Sequence, residues 1–61
     1  MTTKQADKII ATGEPVTFYD QTYHDTFTGT PVRRDRHNLY IIRPNGREGT
    51  WERADLTVVK P

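Results

Sequence analysis

The polar and apolar positions change rhythm at Gly13. Before it, Ala6, Ile9 and Ile10 fall at the i, i+3, i+4 spacing that lines one face of a helix. Thr2 and Gln5 are spaced as a capping box, and Gly13 supplies the residue type that ends helices in a left-handed conformation. The pattern therefore predicts a helix over residues 2–13, with Ala6, Ile9, Ile10 and Gly13 sharing a face. A helix of about three turns is marginal in isolation. That face is expected to dock on the rest of the domain, the alternative being an arm that docks on a partner.

From Pro15 onward, short strand-like runs are separated by turn residues, the texture of an all-β sandwich or barrel. Val16-Thr17-Phe18-Tyr19 alternates until Tyr19, and Asp20 through Thr26 reads as a polar loop containing Tyr23 and His24. The next strand is expected from Phe27 to about Arg34. Pro31 lacks a ladder N–H and so marks an edge or a bulge, and with Gly29 it predicts strong curvature. After the turn-prone Asp35-Arg36-His37-Asn38, Leu39-Tyr40-Ile41-Ile42 is apolar on both faces and is expected to be the most buried strand. Pro44-Asn45-Gly46-Arg47 predicts a tight hairpin into Gly49 to Arg53. Ala54-Asp55-Leu56 predicts one helical turn before a closing strand Thr57-Val58-Val59.

This order of elements resembles the SH3-like small-barrel superfold over roughly residues 15–60. The residues carrying it are Gly29-Thr30-Pro31-Val32, the Leu39 to Ile42 strand, the Pro44-Asn45-Gly46 turn, and Ala54-Asp55-Leu56 followed by Val58-Val59. The resemblance implies about five antiparallel strands, a short N-terminal helix and a one-turn helix before the last strand. Phe18-Tyr19-Asp20 and Tyr23 echo the aromatic loop with which SH3 domains grip proline helices. Trp51, however, stands after the Asn-Gly turn rather than at the start of a middle strand, so the second half of that grip is missing.

Composition narrows the picture. Sixty-one residues make a single domain, because a chain this short buries only about 60% of the surface it exposes when unfolded. With no cysteine, neither disulfides nor thiolate metal sites are available, which fits a reducing, cytoplasmic setting. The longest apolar runs are pairs such as Ile9 and Ile10, far short of a membrane span or signal-peptide core. The net charge of +1 hides an asymmetry: residues 1–31 hold two lysines against four acids, and residues 32–61 hold seven basic residues against four acids. All six arginines lie from Arg33 to Arg53.

The chain also lacks serine, so the commonest hydroxyl and thiol nucleophiles are both missing. Its glycines form no phosphate-binding loop, and no HExxH zinc pattern is present. No catalytic, cofactor-binding or metal-binding residue is assigned, and the domain is expected not to be an enzyme. Asp20, His24 and Asp25 share a loop in which such a trio can hold a metal or do acid–base work. Capping of turn amides by these carboxylates is the expected role, as for Asp35 beside His37.

What remains is a surface of rings and guanidinium groups: Tyr19, Tyr23, His24, Arg33, Arg34, Arg36 and Tyr40. Phe18 and Phe27 are expected in the core, and Trp51 as a partly buried anchor. The expected function is a non-enzymatic module that binds another protein through this surface. The alternative is nucleic-acid binding through the Arg33–Arg53 residues, against which stands local pairing of the arginines with Asp35, Glu48, Glu52 and Asp55. A monomer or weak homodimer is expected, and the size suits a small accessory protein of a phage or mobile element.

Overall fold

Thr2 caps the first element as its spacing requires. Its Oγ1 accepts the Gln5 N–H at 3.1 Å while Gln5 Oε1 accepts the Thr2 N–H at 3.0 Å. The computed structural model describes residues 1–59. It places α1 at Thr3–Thr12, β1 at Val16–Asp20, β2 at Asp25–Arg34, β3 at Asn38–Ile42, β4 at Glu48–Glu52, a 3-10 turn at Arg53–Asp55 and β5 at Leu56–Val58. The expected barrel segment runs to residue 60, whose last position lies outside the described residues. Gly13 ends α1 with φ 68, its N–H bonded to the Ile10 carbonyl at 3.2 Å. Ala6 is fully buried, and Ile9 and Ile10 pack against the core, so the apolar face of α1 is covered by its own domain.

The five strands form an antiparallel sheet in the order β4-β3-β2-β1-β5. Its hinge is β2, whose first half (Asp25–Gly29) pairs with β1 and whose second half (Thr30–Arg34) pairs with β3. The change of partner falls at Gly29 and is followed by a register shift between Pro31 and Arg33. Pro31 thus marks the expected bulge and also stands where β2, central in the strand order, is paired on one side alone, with β3. Only glycine fits at 29, because a Cβ there would stand 2.4 Å from Ile41 Cγ2 and 3.0 Å from the Ile42 carbonyl oxygen.

Ala6, Phe18, Leu39, Ile41 and Leu56 make the buried core, ringed by Met1, Ile9, Ile10, Val16, Phe27, Trp51 and Val58. The expectation that β3 is the most buried strand is corrected, since β1 has no exposed position and β3 ends on one. Leu39 and Ile41 are inside, whereas Tyr40 is half-exposed and Ile42 is 37% exposed, because strand alternation turns these two to the face opposite the core. The loop after β1 is also shorter than expected, with pairing resuming at Asp25. The helical turn comes one residue earlier, which places Leu56 in the last strand and in the core.

Arg53 ties distant segments together. Its guanidinium donates to the Met1 carbonyl through Nη1 and to the Arg36 carbonyl through Nη2 at 3.3 Å, and its backbone N–H donates to His37 O at 2.8 Å. The Met1 amino group donates in return to the carbonyls of Arg53 and Leu56, both at 3.0 Å.

Candidate functional site

Alternation along β4 puts Gly49 and Trp51 on one face and Glu48, Thr50 and Glu52 on the other. The indole leans back along its own strand into the space that a side chain at Gly49 would occupy, where a Cβ would lie 2.5 Å from Trp51 Cη2. It stacks on Phe27 with centroids 4.7 Å apart, and Phe27 stacks on the fully buried Phe18 at 5.5 Å. These rings form a ladder from the core to the surface. Arg43 closes its outer end, with its guanidinium 5.1 Å from the Trp51 ring centroid and 5.7 Å from that of Phe27. Such a cation is attracted to the negative ring faces.

Tyr23 stands across from this ladder and is 77% exposed. Its turn is nonetheless well anchored. The carboxylate of Asp20, only 4% exposed, accepts the N–H groups of Thr22 at 2.9 Å and Tyr23 at 3.4 Å. The Gln21 N–H reaches the Asp55 carbonyl at 2.9 Å, and the Thr22 hydroxyl donates to Asp55 Oδ2 at 2.7 Å. His24 completes the turn at φ 51, with Nδ1 3.0 Å from the Tyr19 hydroxyl. The 3-10 turn therefore holds the loop that presents Tyr23.

Three concavities of ≈ 380, 440 and 470 Å³ adjoin here, and all three are lined by both Tyr23 and Trp51. Together they make one open groove between the β1–β2 turn and β4. Its ends differ in charge. Asp20, Glu52 and Asp55 line the end near the 3-10 turn, and Arg43 and Arg47 line the hairpin end together with Glu48. The hairpin itself is a three-residue loop closed by the Arg43 N–H to Arg47 O bond at 2.9 Å, with Gly46 left-handed at φ 83.

The other residues singled out by sequence fall elsewhere. Tyr19 pairs with His24, as above. Arg33 lies over the Tyr40 ring at 4.5 Å, as its cross-strand partner, and reaches Glu48 Oε2 at 3.3 Å. Arg34 grips Asp7 of α1 through two nitrogens, with Nη2 to Oδ2 at 3.0 Å. This hydrogen bonding holds the Asp7 carboxyl below its ordinary range and raises the Arg34 guanidinium. Arg36 gives its carbonyl to Arg53. Of the four acids expected to pair with arginines, only Glu48 does so by direct ion pairing among the described residues.

The trio Asp20, His24 and Asp25 points in three directions. Asp20 takes the turn amides, His24 the Tyr19 hydroxyl, and Asp25 Oδ1 the Thr26 N–H at 2.9 Å. Among the described residues no group of three histidines or acids could hold a metal ion.

Sequence reasoning placed Trp51 only as an anchor and gave Arg43 no particular role. The small–large alternation of Gly49 and Trp51 signals a ring lying along its strand. Nothing distinguishes Arg43 from five other arginines until the folding of β2 brings Phe27 beneath it. No protein-family model matches this chain, and no curated protein matches it significantly.

Asp35 supplies a pH-dependent prediction. Its Oδ1 accepts the N–H groups of His37 at 2.9 Å and Asn38 at 2.7 Å, and Oδ2 accepts the Tyr40 hydroxyl at 2.8 Å. The backbone amides lead in lowering its pKa from 3.8 to about 2, and the Asp35 bond in turn raises Tyr40. A carboxyl lowered by folding contributes stability above its unfolded pKa and loses it as pH falls through the folded value. The thermal midpoint is therefore expected to drop between pH 3.8 and about 2. Asp35→Asn should flatten that part of the profile. A variant with the parent's acid profile would refute this role.

Proposed function

We propose that this chain is a non-enzymatic module, built as an SH3-like small barrel, that recognises another protein through the groove between Tyr23 and Trp51. The strand order, the sharing of β2 between two sets of partners and the contact of Phe27 with Trp51 support the barrel reading. In that arrangement, the first half of β2 folds over toward β4.

The observation that carries the functional reading is the exposed Tyr23 ring on a turn secured by Asp20 and Asp55. A large side chain left in water while its backbone is immobilised loses little conformational freedom on binding, which favours rigid aromatic anchors at interfaces. The stacked Trp51 opposite is equally restrained. Carboxylates around the groove weigh against a phosphate backbone as occupant. The arginines weigh the same way, because Arg34 and Arg53 are engaged in holding the fold and Arg33 is paired with Glu48.

The test is a photo-crosslinking amino acid introduced at Tyr23, compared with the same group at Tyr40, in cells of the native host. Position 23 is expected to yield one dominant protein adduct that position 40 does not. Equal, diffuse labelling from both positions would refute the reading. So would retention of single-stranded DNA or RNA that weakens steeply with salt, the mark of phosphate contacts.

A further inference from the structure

The groove runs beside a strand edge with unused hydrogen-bonding capacity. β4 pairs with β3 on one side and, among the described residues, has no strand on the other. The phase of its bonds is fixed at both ends by Arg43 N–H to Arg47 O at 2.9 Å and Arg53 N–H to His37 O at 2.8 Å. In an antiparallel ladder, residues alternate between bonding toward one neighbour and toward the other. Residues 47, 49, 51 and 53 thus bond toward β3, and Glu48, Thr50 and Glu52 turn their N–H and C=O groups to the open side. Among the described residues, Thr50 takes part in no backbone bond outside the strands. This open side is the wall along which Thr50 and Trp51 face Tyr23.

Resting on the protein-binding reading above, we infer that the partner supplies an extended segment that adds to β4 as a sixth, antiparallel strand, with basic side chains facing Glu48 and Glu52 and apolar ones facing Trp51 and Tyr23. The pattern follows from the two-residue period of strands. Guest residues opposite Glu48, Thr50 and Glu52 share the outer face with them, so the two end positions meet carboxylates. The residues between those positions turn to the side of Trp51. The segment therefore reads basic, apolar, any, apolar, basic. A second copy of this chain fits poorly, because antiparallel pairing of β4 with itself about Thr50 sets Glu48 directly opposite Glu52 at both ends, and opposed like charges destabilise a sheet.

The test titrates the ¹⁵N-labelled protein with the blocked peptide Lys-Val-Thr-Val-Lys and follows backbone amides. The largest shift is expected at the Thr50 N–H, accompanied by the Tyr23 amide and the Trp51 indole. N-methylation of the central threonine of the peptide removes one of the two bonds exchanged with Thr50 and is expected to weaken binding about tenfold. Exchanging the peptide's lysines for glutamates should weaken it at least as much, and a Glu48→Lys, Glu52→Lys double variant should reverse that preference. Shifts at Tyr23 and Trp51 that are indifferent to N-methylation would overturn strand addition and leave the groove reading intact. Shifts confined to Arg33 and Tyr40 would overturn both. An absence of shifts would overturn strand addition, while the crosslinking result decides the groove separately.

Discussion

Phe18→Ala is expected to unfold the domain in water. Phe18 is fully buried, lies opposite Phe27 on β2 and Val58 on β5, and carries the inner ring of the aromatic ladder. Truncating a buried phenylalanine costs roughly 3–5 kcal/mol through lost transfer energy and the cavity left behind. A domain of 61 residues has about 3–9 kcal/mol of stability at the usual per-residue range. With five hydrophobic side chains in the buried core among the described residues, there is little else to collapse into the gap. The expected readout is loss of dispersion in the amide spectrum and of a cooperative urea transition. Phe18→Leu, which keeps most of the apolar volume, should still fold. A Phe18→Ala protein melting near the parent's midpoint would show that the core lies elsewhere.

The second large effect is expected at Gly29. Even alanine there sets a methyl 2.4 Å from Ile41 Cγ2 and 3.0 Å from the Ile42 carbonyl, on the strand against which β2 must fit after changing partners. Overpacking of this kind costs roughly 1–3 kcal/mol, and the backbone contact cannot be relieved by a rotamer change alone. Gly29→Val should be worse than Gly29→Ala. Because leucine lacks a γ2 methyl, Ile41→Leu should restore part of the stability lost in Gly29→Ala. A double-mutant cycle then gives a favourable coupling between neighbours in contact. Strict additivity of the two changes would mean that positions 29 and 41 do not meet.

Much of this architecture is written locally in the chain. The helix was legible because Thr2, Gln5 and Gly13 carry their structural information in their own spacing, and the Pro44 to Arg47 hairpin for the same reason. Strand positions were legible to within a residue or two. The burial of β3 was not, because Leu39-Tyr40-Ile41-Ile42 offers apolar groups to both faces and only the assembled sheet decides that one side stays open. The site was harder to read. Tyr23 and His24 stood out as rings and charge in a loop, but Trp51 and Arg43 acquire their roles from contacts with Phe27, which lies 24 and 16 positions away along the chain. The arginines misled in the same way. Their clustering in sequence suggested one basic surface, whereas strand alternation and the docking of α1 send Arg33 to Tyr40 and Glu48, and Arg34 to Asp7.

Fold and groove both depend on β2 bringing Phe27 against Trp51, so that a ladder of rings runs from Phe18 outward to face Tyr23. Proton–proton Overhauser measurements on the free protein test this most directly. The ring protons of Phe27 are expected to show cross-peaks both to Phe18 and to the Trp51 indole, as centroid separations of 5.5 and 4.7 Å require. An indole with no cross-peak to Phe27 would contradict the contact between β2 and β4 and remove the wall on which the proposed binding surface stands.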